Sequence, residues 1–406
     1  MRDEDSIAPT SAEGRPPAVL QVVPSLVSGG VERGTIEIAG ALAAAGWRSC
    51  VASAGGPMVR ELARAGAEHV ELPLASKNPI TICRNGEALG ELIERLGIDI
   101  VHARSRAPAW SAWRAVRMTG RRFVTTFHNV YPTDLPFKRH YNAVMARGDR
   151  VIAISHFVAE HAARTYGIGD ERLRTIHRGV DMAIFDPAKV GAERVAALAR
   201  QWRVPDGAPV VMLPGRLTRW KGSLDLIAAV ARLGRRDLCV VLVGEPQRGG
   251  FRRELERTIA RSGIGEAFRI VEGCRDMAAA YMLADVVVSA SADPEGFGRV
   301  IVEAQAMGRP VVATDHGGAR ETVIPGETGW LARPRDPDSL AAALAHALAL
   351  DAEARARYAR RAIAHVAAAF TRERMCAETL AVYEELLPRK ILEAAAPATA
   401  RYAVSG

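Results

Sequence analysis

The chain alternates, twice over, between short apolar runs and longer amphipathic stretches. In its first half the apolar runs are Val19–Pro24, Ser49–Ala54, Ile98–Ala103, Arg122–Phe127 and Arg150–Ser155. In its second they are Pro209–Pro214, Cys239–Gly244, Arg269–Glu272, Val286–Ser289 and Pro310–Thr314. Strands that alternate with helices predict an α/β fold, with parallel sheets covered by helices on both faces. The segment Asp181–Gly207, with Pro187 and the turn Val204-Pro205-Asp206-Gly207, is the expected connection between the halves. A length of 406 residues fits two or three domains.

Nearly half the residues are hydrophobic, as in a globular protein. No apolar run approaches the roughly 20 residues of a membrane helix. The opening MRDEDSIAPTSAEGRPP is polar, where a signal peptide needs a basic start and an apolar core. Five scattered cysteines form no C-x-x-C, so a reduced cytoplasmic setting without structural zinc is expected. The head before Pro17 and the tail from Ala394 are expected to fray.

Charge is concentrated. From His102 to Arg150 ten Arg or Lys face two acids, Asp134 and Asp149; the excess of +8 equals that of the whole chain. Arg104, Arg106, Arg114, Arg117, Arg121, Arg122, Lys138 and Arg139 are interleaved with Trp110, Trp113, Phe127, Tyr131 and Phe137. Such a stretch suits an anionic membrane surface or a phosphorylated acceptor, or it is an ordinary solvated basic face. No recognised nucleic-acid motif accompanies it, so no nucleic-acid partner is expected.

Open α/β sheets bind ligands beyond the carboxyl ends of their strands, and the candidate residues gather there. Gly29 and Gly30 close SLVSGG after the first run and lead into an expected helix, Val31–Ala45. His128 ends RFVTTF, and Ser155 ends RVIAIS. Arg216 and Lys221, in PGRLTRWKG, follow VVML; Gly244 and Glu245 follow VVLV; Gly273 and Cys274 follow RIVE. Glu295 follows VVVSAS in the polar turn Asp293–Gly298, and Glu303 lies in the helix beyond, with seven residues between the two. Glycines ahead of a helix bring free amides to a negative ligand. A carboxylate beside them accepts hydrogen bonds from sugar or ribose hydroxyls. At this spacing alone, an acidic turn and a solvated helix carboxylate would read the same.

In its flanking sequence, SADPEGFGRVIVEAQAMGRPVVAT, the pair resembles the paired-glutamate motif of the group 1 retaining, nucleotide-sugar-dependent glycosyltransferases. The resemblance runs from about Val19 to Leu387 and is strongest from Ile176 to Gly329. It implies the GT-B fold, two Rossmann-like α/β domains with parallel sheets facing a central cleft. Residues 17–185 would form the acceptor-side domain, 200–371 the donor domain, and 372–390 a C-terminal helix crossing back. It also implies roles. Arg216 and Lys221 would stabilise the departing diphosphate, and Glu303 would bind the ribose hydroxyls. Glu295, with the backbone of Gly296, Phe297 and Gly298, would hold the donor sugar. Gly273 and Cys274 occupy the base-contacting loop, beside Gly244 and Glu245. Gly29, Gly30 and Ser155 would contact the donor, and His128 would lie near the reacting centre. Lys77, Asn78, Arg104 and Arg106 fall where acceptor loops lie. One departure is Arg178 in TIHRGVD, where relatives usually carry asparagine.

The resemblance implies transfer of a hexosyl group with retention, without cofactor or metal, the cations at the diphosphate replacing one. Two D-x-D triplets, Asp3-Glu4-Asp5 and Asp336-Pro337-Asp338, do not follow strands as metal-binding pairs do. The basic stretch favours an envelope glycan or lipid-linked acceptor, such as lipopolysaccharide core or exopolysaccharide, met at the inner face of the cytoplasmic membrane. A soluble small-molecule acceptor, and a nucleotide-sugar epimerase of the same fold, are the alternatives. A dinucleotide oxidoreductase does not fit, because Gly29-Gly30-Val31-Glu32-Arg33-Gly34 is not G-x-G-x-x-G.

Overall fold

The computed structural model describes residues 15–27, 29–131, 135–245 and 250–393. Seven strands form one parallel sheet: β1 (Ala18–Val22), β2 (Arg48–Ser53), β3 (Glu68–Glu71), β4 (Ile100–Ala103), β5 (Arg122–Phe127), β6 (Arg150–Ala153) and β7 (Leu173–Thr175). Their order is β3-β2-β1-β4-β5-β6-β7. Six more form a second: β8 (Val210–Pro214), β9 (Cys239–Val243), β10 (Phe268–Val271), β11 (Val286–Ser289), β12 (Val311–Thr314) and β13 (Trp330–Ala332), in the order β10-β9-β8-β11-β12-β13. Both sheets start in the middle and reverse direction once. The reversal lies between β1 and β4 in the first and between β8 and β11 in the second. At such a switch point the crossover helices leave on opposite faces, and a crevice opens beyond the strand ends.

The central strands read as continuous apolar runs because both faces are covered. Val211, Leu213, Val240 and Leu242 point into one core, with Leu226, Phe251 and Leu344. Their neighbours Val210, Met212, Val241 and Val243 point into the other, with Tyr281, Ile301 and Ala304. That alternation is the period-2 geometry of a strand. Three strands, β3, β7 and β13, were not expected from the sequence. All lie at sheet edges, and only one residue among them, Ala332, is buried. An edge strand needs no unbroken apolar run, so EHVE and LRT carry little signal.

The chain divides into two compact units at Ala153/Ile154, His161/Ala162, Ile176/His177 and Met375/Cys376. The first holds the β1–β7 sheet, and the second holds the β8–β13 sheet together with Ile154–His161. The expected connection Asp181–Gly207 is not a plain linker. Ala192–Trp202 is a helix of the second unit, with Leu198 and Trp202 buried one turn apart and Arg194 paired to Asp276 at 2.7 Å. From Cys376 onward the C-terminal helix Arg372–Glu384 belongs to the first unit. There the Tyr383 hydroxyl lies 2.6 Å from His102 Nδ1, and Glu385 accepts from Arg150 and Arg174. Arg15, expected in a frayed head, is held by Asp99 at 2.7 and 3.0 Å. The remainder of the head, the tail from Ala394, the first D-x-D triplet and Ser28 lie outside the described residues. Among the described residues no helix is long and apolar enough to cross a membrane.

Candidate active site

In the second unit the switch point between β8 and β11 is where the candidate charges meet. Lys221 follows β8 and Glu295 follows β11. Their side chains form an ion pair of 2.7 Å, with 13% and 18% of each exposed. Ser291 Oγ also donates to Glu295 Oε1, and Lys221 Nζ sits 4.6 Å from the centre of the Trp220 ring. Glycine makes this approach possible. Gly222 takes φ +74°, and a Cβ there would strike the Ala290 carbonyl at the end of β11. The Ala292 amide then donates to the Trp220 carbonyl at 2.7 Å, stitching the two loops together.

The turn Glu295–Gly298 rests on a second glycine pair. The Gly318 amide donates to the Glu295 carbonyl at 2.9 Å, and any Cβ on Gly317 or Gly318 would collide with the backbone of Glu295 or Phe297. Gly298, at φ +86°, turns the chain into the helix Arg299–Ala306. The Phe297 side chain is buried against Phe370, their ring centres 5.6 Å apart, so only its backbone is offered to a ligand. One turn along the helix, Glu303 accepts from the Tyr281 hydroxyl at 2.8 Å and lies 3.4 Å from Arg299 Nε. Burial, and then the nearby Glu303 charge, push the Tyr281 hydroxyl pKa well above its usual value, so it stays protonated and donating. The fully buried Gln305 amide bonds the carbonyls of Thr322 and Thr328, both at 2.9 Å, and fixes the helix from behind.

Backbone bonds link the loops beyond β8, β9 and β10. Gly215 N donates to Val243 O at 2.8 Å, Leu217 N to Glu245 O at 3.0 Å, and Gly244 N to Val271 O at 2.9 Å. A side chain on Gly244 would strike the Gly215 carbonyl. Gly273 turns at φ +74° beside the Glu245 carboxylate. Cys274 is half-buried, and burial raises its thiol pKa. Arg216, in the loop beyond β8, is exposed. Asp336 caps the helix Pro337–Leu348 through the Ser339 amide at 2.9 Å, a structural use of the second D-x-D triplet.

Also in the second unit, Glu321 accepts from the amides of His156 at 2.8 Å and Phe157 at 2.7 Å, and from His177 Nε2 at 2.8 Å. Burial alone would raise its pKa, but these hydrogen bonds outweigh it and hold the carboxyl below its usual value. Ser155 is fully buried, its hydroxyl accepting from the Val158 amide at 3.1 Å as the cap of the following helix.

The first unit places its candidates differently. Gly29, at φ +130°, and Gly30 begin the helix Gly30–Ala44 beyond β1, at that sheet's switch point. Arg104, beyond β4, is buried to 2% exposure and donates to Gln21 at 3.2 Å; burial lowers its pKa. His128 is half-buried at the end of β5. Asn78 caps the helix Pro79–Leu96 through Ile80 N at 2.9 Å, and Lys77 beside it is exposed. Arg106 bonds Asn142 at 3.0 Å and lies over the Tyr131 ring at 4.4 Å. Among the interleaved basic and aromatic residues, Phe127 is buried in the core. Arg147 sits over both Trp113, at 4.0 Å, and Trp110, at 5.5 Å, with Arg117 on Trp113 at 5.6 Å. Ile80, Met118 and Phe137 stand exposed among these charges.

Tyr281, Arg299, Ser291 and the Gly317-Gly318 pair escaped the sequence reading. Arg299 stands four residues before Glu303, a legible helical pair. The two glycines follow the next strand, the same signal that found the others. Tyr281 lies 22 residues from Glu303, and only the fold brings them together.

Residues 196–365 match the family model for glycosyl transferases group 1, and residues 28–184 match that for glycosyltransferase family 4. A glycosyltransferase of known structure from Rickettsia africae is 37% identical, covering 91% of this chain and 98% of that one, with a TM-score of 0.85. An Anabaena protein, HepE, crystallised with UDP and glucose, is 24% identical over 91% of this chain and 100% of its own, with a TM-score of 0.80. The D-inositol 3-phosphate glycosyltransferase 1 of Catenulispora acidiphila is 37% identical over 207 residues, 48% of each chain. The chain thus spans about half the length of the curated relatives it matches, 48% and 57% for two of them.

Proposed function

This chain belongs to the group 1 glycosyltransferases and has the GT-B fold, and on that premise we propose that it moves a sugar from a nucleoside-diphosphate sugar to an acceptor hydroxyl. One observation carries the reading: the Lys221–Glu295 pair at the β8/β11 switch point. There Lys221 and the exposed Arg216 supply positive charge to the leaving diphosphate, a point charge and a rigid fork. Glu303, already aligned by Tyr281 and Arg299, takes the ribose hydroxyls. The Glu295–Gly298 turn takes the donor sugar, and the Gly244–Glu245 and Gly273–Cys274 loops take the base. Gly29, Gly30 and His128 of the first unit, and Ser155 of the second, are the remaining donor candidates by the family resemblance. With the diphosphate neutralised by side chains, the transfer proceeds with retention and without a metal or cofactor. A hexosyl group is the unit transferred.

For the acceptor, the exposed apolar side chains among the basic residues of the first unit support a lipid-linked or envelope glycan at an anionic membrane surface on the cytoplasmic side. The name of the Catenulispora relative supports a second reading, a soluble phosphorylated cyclitol. Lys77, Asn78 and Arg106 are the acceptor candidates in either case. Thermal stabilisation by UDP-, GDP- and ADP-sugars tests the donor assignment, because a ligand of the folded state raises stability by mass action. One nucleotide series should stabilise and be slowly hydrolysed. Failure of all three to do either would refute the reading.

A further inference from the structure

Behind the Glu295–Gly298 turn, three side chains that the glycosyl-transfer reading leaves unused converge from separate parts of the second unit. His156 opens the helix His156–Tyr166, His177 follows β7, and Glu321 lies in the short helix Ala319–Thr322. One ligand atom from each can be chosen so that all three lie within 4.8 Å of one another. The two imidazole rings meet edge to face at 69°, with centres 5.3 Å apart. His177 Nε2 and Glu321 Oε2 are 2.8 Å apart. Two donors on one tetrahedral Zn²⁺, each bonded at about 2.0–2.1 Å, stand about 3.3 Å apart. That pair would open by about half an ångström to admit an ion in place of the hydrogen bond, and the His156 ring, whose ligand atom lies within 4.8 Å of both, would turn inward to complete the set.

The histidine–glutamate contact alone is accounted for by packing, since Glu321 caps the helix at His156 and Phe157 and holds His177 in place. His156 exceeds that need. Its ring is exposed, its nitrogens take no hydrogen-bond partner among the described residues, and it nevertheless stands over the same point. We propose that His156, His177 and Glu321 form a binding site for a borderline divalent transition metal of the Zn²⁺ class. Two imidazoles and one carboxylate select such ions over Mg²⁺ or Ca²⁺, which favour all-oxygen shells. Three protein ligands leave the fourth position to water.

The position gives the ion something to act on. Glu321 stands three residues from Gly318, whose amide holds the Glu295 carbonyl at 2.9 Å. The His177 ring lies 6.0 Å from that of Phe297. An ion tying His177 to Glu321 braces the far side of the turn that carries Glu295. None of its three ligands is among the groups assigned to the donor, so the ion serves as a brace and not as the catalyst.

The test uses the full chain, untagged by histidines, stripped with chelator and titrated with ZnSO₄ alone in a calorimeter. One equivalent should bind, MgCl₂ should give no heat, and Co²⁺ should give the visible bands of a four- or five-coordinate ion. His156→Ala alters an exposed side chain and keeps the backbone cap, so folding is not at risk; it should weaken Zn²⁺ binding tenfold or more. Glu321→Gln retains an oxygen for the capped amides and should weaken it similarly. Absence of Zn²⁺ binding by the unaltered chain would overturn the proposal, and so would an isotherm unchanged in His156→Ala, which would place the ion elsewhere. Because the readout needs no nucleotide sugar, the site stands or falls separately from the donor assignment.

Discussion

Lys221 and Glu295 should be energetically coupled, and the size of the coupling follows from their geometry. At 2.7 Å, with both side chains mostly buried, the gross attraction is about 6 kcal/mol for an effective dielectric of about 20. Desolvation of the two charges offsets much of that. A net coupling of about 2 kcal/mol remains, within the usual range for contacting residues. Either Lys221→Met or Glu295→Gln leaves its partner mostly buried and without its counter-charge. Each should lower the thermal midpoint of the second unit by about 4–8 °C, at roughly 2–4 °C per kcal/mol for a unit of this size. The double variant should be little worse than either single one. Denaturant unfolding of the unaltered chain and the three variants gives the coupling directly. Additive effects, with a coupling below about 0.5 kcal/mol, would show that the ion pair does not hold the two loops together.

Replacing Lys221 or Arg216 by Ala should lower turnover about a hundredfold or more, as for loss of one preorganised electrostatic donor; near-normal rates in both would remove them from the site. Tyr281→Phe deletes one hydroxyl from Glu303, and the nucleotide dissociation constant should rise about tenfold to a hundredfold, as for one lost hydrogen bond to a charged group; an unchanged constant, measured by calorimetry, would show that Glu303 needs no such alignment. Glu385 is held below its usual pKa, chiefly by its hydrogen bond to Arg174 and also by Arg150. A depressed carboxylate adds stability above the unfolded pKa of about 4.3 and loses it as pH falls through the folded value. The thermal gap between the unaltered chain and Glu385→Gln should therefore be full at pH 7 and close on acidification below about 4; a gap independent of pH would contradict the pairing. Neutralising Arg114, Arg117, Arg121 and Arg122 together should weaken sedimentation with anionic vesicles, at about 1 kcal/mol for each charge near the surface, and leave nucleotide affinity intact. Absence of vesicle binding by the unaltered chain at low salt would make this stretch a solvated face.

Central strands such as CVVLV and VVVS were legible because burial on both faces demands unbroken apolar runs, whereas β3, β7 and β13 were not. The helix Ala192–Trp202 was hidden for a different reason. Its Gly, Pro and charged flanks read as a connection, and only Leu198 and Trp202 face inward. Site residues were legible where they lie in the loop after a strand, as Lys221, Glu295 and Gly298 do. Tyr281 has its partner on another helix, and no local pattern encodes that contact. Arg104 and Arg114 look alike in sequence. One is buried beneath the first unit's surface and the other is exposed and paired with Glu87 at 3.0 Å. Composition gives the charge of a stretch but not which of its members solvent sees.

The most direct measurement follows the anomeric proton by NMR while the chain turns over an α-linked nucleotide sugar of the series that stabilises it. The account predicts slow donor cleavage without added metal, with the released or transferred sugar appearing first as the α anomer, and a loss of that cleavage in Lys221→Ala. First appearance of the β anomer, or cleavage indifferent to Lys221, would contradict it.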